Sequence, residues 1–244
     1  MHDDMRQARV DLATALRWAV KFDLHEGIDN HFTLTVPGRE DRFLVHPFGA
    51  HWSEIGPDDL IVVDTEGNTI EGEGEIESSA YNIHIPVHLA RPDLRCVLHT
   101  HMPYATALTS VEGVRLEAIS QNALRFVNRV AYDDDYSSLA TDTAEGERFA
   151  RCLGGGGSIL FMANHGVLVG GPTVGRAFDD LYFLERTCMV QVLAMSTGQP
   201  LRRIPDEVVG RTVQQMTRSA AVHRSTHFEA LKRMLAREAR EFAA

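Results

Sequence analysis

The sequence predicts a single α/β domain whose sheet contains antiparallel pairs, and three observations carry that prediction. Short alternating stretches lie close together around tight turns, which favours hairpins. Longer stretches with helical apolar spacing lie between and after them. Strands and helices do not alternate regularly enough for an all-parallel sheet. At 244 residues the chain can hold one substantial core or two small ones, and neither a repeat nor a Pro/Ser-rich linker divides it.

Residues 5–25 read as an amphipathic helix, with Val10, Leu12, Leu16, Val20 and Leu24 near helical spacing. Residues 31–36 and 42–46 alternate like two strands, with Pro37-Gly38 turning between them. Residues 60–64 form another strand, after which Glu66-Gly67-Asn68 reverses the chain. Residues 79–90 read as a helix with Ser78 or Ser79 as N-cap and Arg91-Pro92 as its stop. A strand at 94–101 follows, then irregular chain from 110 to 140 with short strands expected near 115–119 and 127–132. A helix over 142–153 runs into Gly154 to Gly157, which lack the Lys-Ser/Thr of a phosphate loop and read as a turn. Strands at 158–163 and 166–170 flank Asn164-His165, and a long helix spans 173–197 with Phe178, Leu181, Leu184, Cys188, Val192 and Met195 as its stripe. Residues 1–205 thus form the domain, and 206–244 a charged helical tail expected to dock through Phe228, Leu231, Met234 and Leu235, on the domain or on a neighbouring subunit.

Composition excludes several classes. Lys+Arg total 24 against Asp+Glu 34, a net charge of −10, and no basic stripe is present to neutralise phosphates, which argues against nucleic acid. No apolar run approaches the ~20 residues of a membrane span. Cys96, Cys152 and Cys188 are widely spaced and form no CxxC pair, as expected of reduced thiols in a cytoplasmic protein. The acidic start Met1-His2-Asp3-Asp4, with no apolar segment behind it, carries no secretory signal.

The chemistry concentrates in histidines. His99-Thr100-His101 ends a predicted strand, and residues two apart on a strand share a face, so both imidazoles can reach one ion without backbone distortion. Neutral imidazole suits zinc, iron and related ions. His165, at the sharp junction Asn164-His165-Gly166 between two apolar strands, points from a strand edge into a cleft. Three histidines with an open position are the usual arrangement of a catalytic metal.

Arg91-Pro92-Asp93, Val97-Leu98-His99-Thr100-His101 and Asn164-His165-Gly166-Val167, followed by Ala177 and Glu185, resemble the class II aldolase/adducin family. So do His31 and Thr33, His46-Pro47-Phe48-Gly49 and Glu77-Ser78-Ser79. The resemblance covers about residues 8–200, and its elements recur in family order and spacing. It implies a three-layer α/β/α fold with a mixed, largely antiparallel central sheet. It also implies one divalent metal per subunit on His99, His101 and His165, zinc first with manganese or iron as alternatives. A small-molecule substrate and a homotetramer with active sites at its interfaces come with it.

Two departures change the expected chemistry. The sugar-phosphate aldolases follow Ser-Ser with an acid/base Glu, whereas Ser79 is followed here by Ala80, which cannot move a proton. Glu77 at the helix start, or His84 one turn after Ala80, are candidate substitutes; a solvated charge near the helix dipole and a packed histidine are the bland readings. His88 reads mostly as structural. In the aldolases the loop equivalent to Pro47-Phe48-Gly49 offers a Thr to the substrate phosphate, and Phe48 has no donor. His31, Phe48, Gly49, Ser78 and Ser79 remain as substrate contacts, the serines and the Gly49 backbone near a helix N-terminus. An unphosphorylated, aromatic carboxylate fits a ring in place of a hydroxyl, and core packing is the plain alternative for Phe48. In related aldolases a Tyr near Tyr132 or Tyr136 donates a proton to a neighbouring subunit's site. Arg125 and Arg129 bind a carboxylate or pair with Asp133-Asp134-Asp135.

The expected activity is therefore a metal-dependent lyase breaking a carbon–carbon bond in a small hydroxy or oxo acid through a stabilised enolate, by retro-aldol cleavage or decarboxylation, nearer the adducin-like and decarboxylase branches. A non-haem iron oxygenase acting on an aromatic hydroxy acid and a non-catalytic adducin-like scaffold are the alternatives.

Overall fold

The computed structural model describes residues 2–137 and 139–242. Its strands are β1 (His31–Thr35), β2 (Arg42–Val45), β3 (Ile61–Asp64), β4 (Thr69–Glu71), β5 (Cys96–Thr100), β6 (Val130–Asp133), β7 (Ile159–Met162) and β8 (Gly166–Gly171). They form one eight-stranded sheet in the order β4-β3-β2-β1-β5-β8-β7-β6. Among the described residues β6 and β7 pair in parallel and every other neighbouring pair is antiparallel. The helices are α1 (His2–Lys21), α2 (Ser78–Ala90), α3 (Pro103–Thr109), α4 (Ala144–Leu153), α5 (Val174–Met195) and α6 (Asp206–Glu238).

Strand alternation splits the core between two faces. Phe32, Leu34, Leu98, Val167 and Val169 join Leu12 and Leu16 of α1, Leu181 and Leu184 of α5, and Phe228 and Leu231 of α6. On the opposite face Val97, Leu160, Met162 and Leu168 pack against Ile83 and Val87 of α2 and Phe149 and Leu153 of α4. The result is the three-layer α/β/α fold with a mixed, mainly antiparallel sheet that the resemblance implied. Pro86 inside α2 has no N–H to offer the Asn82 carbonyl. The α4 backbone closes against that carbonyl at Gly146, where a Cβ would lie 2.3 Å from Asn82 O.

Several local expectations are corrected. No strand forms at 115–119; the chain there is held from outside, Leu116 N–H by the Tyr132 hydroxyl and Glu117 N–H by Gln191. β4, on the sheet edge, and α3 were not foreseen. The start of α3 is capped from far along the chain: the Glu185 carboxylate accepts from Tyr104 N–H at 2.8 Å and Ala105 N–H at 2.9 Å. The N-cap of α2 is Glu77, not a serine, because its carboxylate reaches Ala80 N–H at 2.9 Å. In the tail, Phe228, Leu231 and Leu235 are buried and Trp18 donates to Leu231 O, but Met234 is 47% exposed and lies outside the core. The glycine run is a turn, with Gly154 ending α4 at φ +52°. No described helix is long and apolar enough to cross a membrane.

Candidate functional site

The three histidines meet where three strand ends meet. β5 stops at Thr100 because Pro103 opens α3, which leaves His99 on the strand and His101 just beyond it. β7 and β8 form a hairpin closed by residues 163–165, with Met162 opposite Gly166. Asn164 takes the left-handed conformation there, φ +55°, which asparagine tolerates better than most residues. Gly166 lets β8 press on the end of β5: a Cβ would sit 2.5 Å from Thr100 O and 2.9 Å from the His101 ring. One nitrogen each of His99, His101 and His165 therefore lie within 4.8 Å of one another.

The partners of the rings suit a cation. His99 Nδ1 lies 3.0 Å from Val167 O, which only accepts, so its proton is on Nδ1 and Nε2 is bare. His101 Nδ1 lies 2.5 Å from the Glu26 carboxylate, to which it donates and which orients the ring. The Nε2 atoms of His99 and His101 lie 3.2 Å apart, close enough for one shared cation to take both as ligands. Among the described residues, His165 Nδ1 is buried without a hydrogen-bond partner. Burial, then the neighbouring imidazoles, holds His99 well below the usual histidine range and His165 at about 4, so both are neutral ligands at neutral pH. The donor set fits a divalent transition metal such as zinc, manganese or iron.

A second group of histidines lies beside the first. His31 pairs with His99 across β1 and β5, and their rings are 4.9 Å apart. His31 Nδ1 lies 2.8 Å from His84 Nε2, and His84 Nδ1 2.6 Å from Thr33 Oγ1. Thr33 Oγ1 is 2.8 Å from His88 Nε2, and His88 Nδ1 is 3.1 Å from Leu94 O. At the other end His31 Nε2 is 3.1 Å from Ser79 Oγ, which also donates to Glu77 Oε2, itself 3.7 Å from His31 Nε2. Burial pushes His31 and His84 well below the histidine range and His88 to about 3.

Of the residues singled out from the sequence, His31, Glu77, Ser79 and His84 thus come together beside His99. His84 is 0% exposed with both nitrogens engaged, and Glu77 is both helix cap and neighbour of His31. Ser78 is exposed at the start of α2. Phe48 is 57% exposed, which rules out core packing, and Gly49 follows it at φ +88°. Tyr132 sits in β6 with its hydroxyl on Leu116 N–H and Arg115 over its ring, in a cavity of about 570 Å³ also lined by Ala163 and Asn164. Tyr136 is 51% exposed. Arg129 pairs with buried Asp180 and Arg125 with Asp179, so neither serves the aspartate loop, whose Asp133 and Asp134 pair with Arg148 and Arg115.

Sequence reasoning missed Glu26 and Asn30. Glu26 orients His101, and Asn30 accepts from His101 N–H at 3.2 Å. Their partners are far along the chain, so no local spacing marked them. Thr33 stood among the resemblance residues, but its place between two histidines could not be read from β1 alone.

Residues 10–192 match the family model described as Class II Aldolase and Adducin N-terminal domain. A crystal structure of an aldolase II superfamily protein from Pseudomonas syringae superposes with a TM-score of 0.90 at 34% identity, covering 98% of this chain and 96% of that one. Decarboxylase NovR of Streptomyces niveus is 34% identical over 207 residues, 84% of this chain and 75% of that protein. The 4-hydroxy-3-prenylphenylpyruvate oxygenase/4-hydroxy-3-prenylbenzoate synthase of Streptomyces roseochromogenus subsp. oscitans is 34% identical over 207 residues, 84% of this chain and 73% of that one.

Proposed function

The chain belongs to the class II aldolase and adducin family, and from that premise we propose that it is a divalent-metal-dependent lyase that breaks a carbon–carbon bond in a small hydroxy or oxo acid, by retro-aldol cleavage or decarboxylation. The observation that carries this reading is the convergence of His99, His101 and His165, with one ring nitrogen of each within 4.8 Å of the others and the Nε2 atoms of His99 and His101 3.2 Å apart. A metal held by these three residues supplies positive charge against the negative charge that develops on substrate oxygens as the bond breaks. A scaffold has no use for such a site.

The surrounding residues favour an unphosphorylated substrate. Ala80 offers no acid/base group, which decarboxylation does not need in its bond-breaking step. Glu77, Ser79 and His31 contact the substrate's oxygens, with Ser78 and Gly49 at the rim, and the exposed ring of Phe48 receives an aromatic or other apolar group. Tyr132 acts from a neighbouring subunit in a homotetramer with interfacial sites.

Metal analysis of the purified protein, paired with turnover of aryl and alkyl hydroxy and oxo acids with and without oxygen, tests the proposal. Oxygen-independent release of carbon dioxide or an aldehyde, lost with a chelator and restored by zinc or manganese, is expected; protein that neither holds nor responds to metal overturns it. A second reading, an iron oxygenase acting on an aromatic hydroxy acid, is favoured by the oxygenase name of one relative. Bound iron with stoichiometric oxygen uptake would establish that reading instead.

A further inference from the structure

Gly154 to Gly157 close the turn after α4, and the fold explains only two of these four glycines. Gly154 takes φ +52°, and a Cβ on Gly157 would lie 2.7 Å from Leu153 O. Gly155 and Gly156 have no left-handed φ, and a Cβ on either would meet nothing within 4 Å. Their N–H groups meet no acceptor among the described residues. Both line a hollow of about 410 Å³ together with Arg91, Arg129, Ser158 and Arg176. The hollow lies at the far end of the sheet from the three metal-type histidines. Met162 and Gly166 stand beside His165 at one end of β7 and β8, whereas Ile159, Gly170 and Gly171 stand at the other.

Positive charge is left over in this hollow. Arg91 is fully engaged, pairing with Asp93 and donating to Gly154 O and Gly157 O. Arg129 and Arg176 share one carboxylate, Asp180, which is 0% exposed. Neighbouring Asp179 is taken by Arg125 and His227. One guanidinium charge therefore has no counterpart, in a chain whose net charge is −10. Arg176 is the open one: its Nε donates to Asp180 at 3.0 Å, and neither Nη atom has an acceptor among the described residues. Burial lowers its pKa from the usual arginine value by more than Asp180 offsets, and Arg129 adds to the effect. Ser158 Oγ accepts from Arg129 at 2.9 Å, which leaves its own proton free to give.

We propose that this hollow is a second ligand site, separate from the metal-type histidines, that takes the phosphate group of a small metabolite. The unspent groups on its wall are all donors: the Nη atoms of Arg176, the Ser158 hydroxyl and the N–H groups of Gly155 and Gly156. A phosphate accepts from several directions at once and pairs with a planar guanidinium through two oxygens. The two glycines let its oxygens approach the backbone, which a side chain would prevent. The volume lies in the range of small-molecule pockets and leaves room for an organic group beside the phosphate, whereas a protein partner needs a far larger face. Because the site stands across the sheet from the histidines, its ligand is an effector and not the molecule cleaved. β8 spans the two places, with Gly170 and Gly171 at the hollow and Gly166 against His101.

Titration calorimetry of the full chain in phosphate-free buffer tests this, with inorganic phosphate and glycerol 3-phosphate as probes and glycerol as control. Saturable binding of both phosphates and none of glycerol is expected. Arg176→Gln removes the open guanidinium while Arg129 stays on Asp180, and should weaken both phosphates roughly tenfold or more, the loss of a charge-assisted hydrogen bond. Gly156→Leu alters the same wall without touching a charge. The fold has room for the side chain, so the melting temperature without phosphate should hold while phosphate affinity falls as far. His99→Ala should bind phosphate as tightly as the unaltered protein. Absence of saturable binding overturns the proposal. So does binding that His99→Ala abolishes, or that Arg176→Gln and Gly156→Leu leave intact, because the phosphate then sits elsewhere. None of these outcomes depends on which reaction the protein performs.

Discussion

Two trios of histidines lie side by side in this protein and are used in opposite ways. In His99, His101 and His165 the nitrogens converge: carbonyl and carboxylate partners hold Nδ1 of His99 and His101 on the outside, and one nitrogen of each ring faces a common point. In His31, His84 and His88 the nitrogens run in series, and every inner contact has one donor and one acceptor. The residue type is the same, although His101 and His165 are only partly buried while His31, His84 and His88 are all buried. What differs most is the arrangement of the ring nitrogens: the first set converges on one point, as ligands of a shared cation would, and the second passes from ring to ring through Thr33.

The comparison can be broken most directly at the converging trio. His99→Ala removes a ligand, and we expect metal content measured by atomic emission to fall from one ion per chain to near none, with activity lost alongside. His84→Ala, by contrast, is expected to leave the metal in place; equal metal loss in both variants would erase the distinction. A smaller effect is expected from Glu26→Ala, which frees His101 to rotate and change tautomer. Competition with a metal-binding dye should show affinity falling by about tenfold, the low end for such partners because Glu26 is well exposed.

Acid should act on both trios through stability. His88 is held at about 3, and His46 and His165 at about 4, against an ordinary value near 6.5. The unfolded chain therefore binds more protons than the folded one between those limits, and stability falls as pH drops from about 6.5 toward 3. Urea midpoints measured across that range should decline steadily, and His88→Gln should flatten the decline by up to one proton's worth of slope. A midpoint independent of pH would mean that these histidines are not buried neutral. Least of all should Phe48→Ala matter to folding: as an exposed loop residue it is expected to change stability by less than about 0.5 kcal/mol, while KM rises for aromatic substrates only.

Much of this is legible in the sequence alone. The alternation of β1, β2 and β5, the helical stripes of α1 and α5 and the turn at Gly154 follow from local periodicity and backbone preference, which nearby residues encode. The metal-type trio was legible because two of its members are strand neighbours and the third sits in a turn with a local signature. α3 escaped notice because it is short and its cap comes from Glu185, and Glu26 because its partner is His101, distant in the chain.

The sequence by itself determined that His31 and Thr33 lie on one face of a strand, that His84 and His88 lie one helical turn apart, and that His99 and His101 project together. Only the tertiary structure decided that the polar face of β1, in the middle of the sheet, is covered by α2 and not by water. That covering joins the two elements into one hydrogen-bonded row. The physical reason is that periodicity specifies which side chains share a face, whereas the partner of that face is set by packing across the whole core. A buried polar face must find its hydrogen bonds there or not at all.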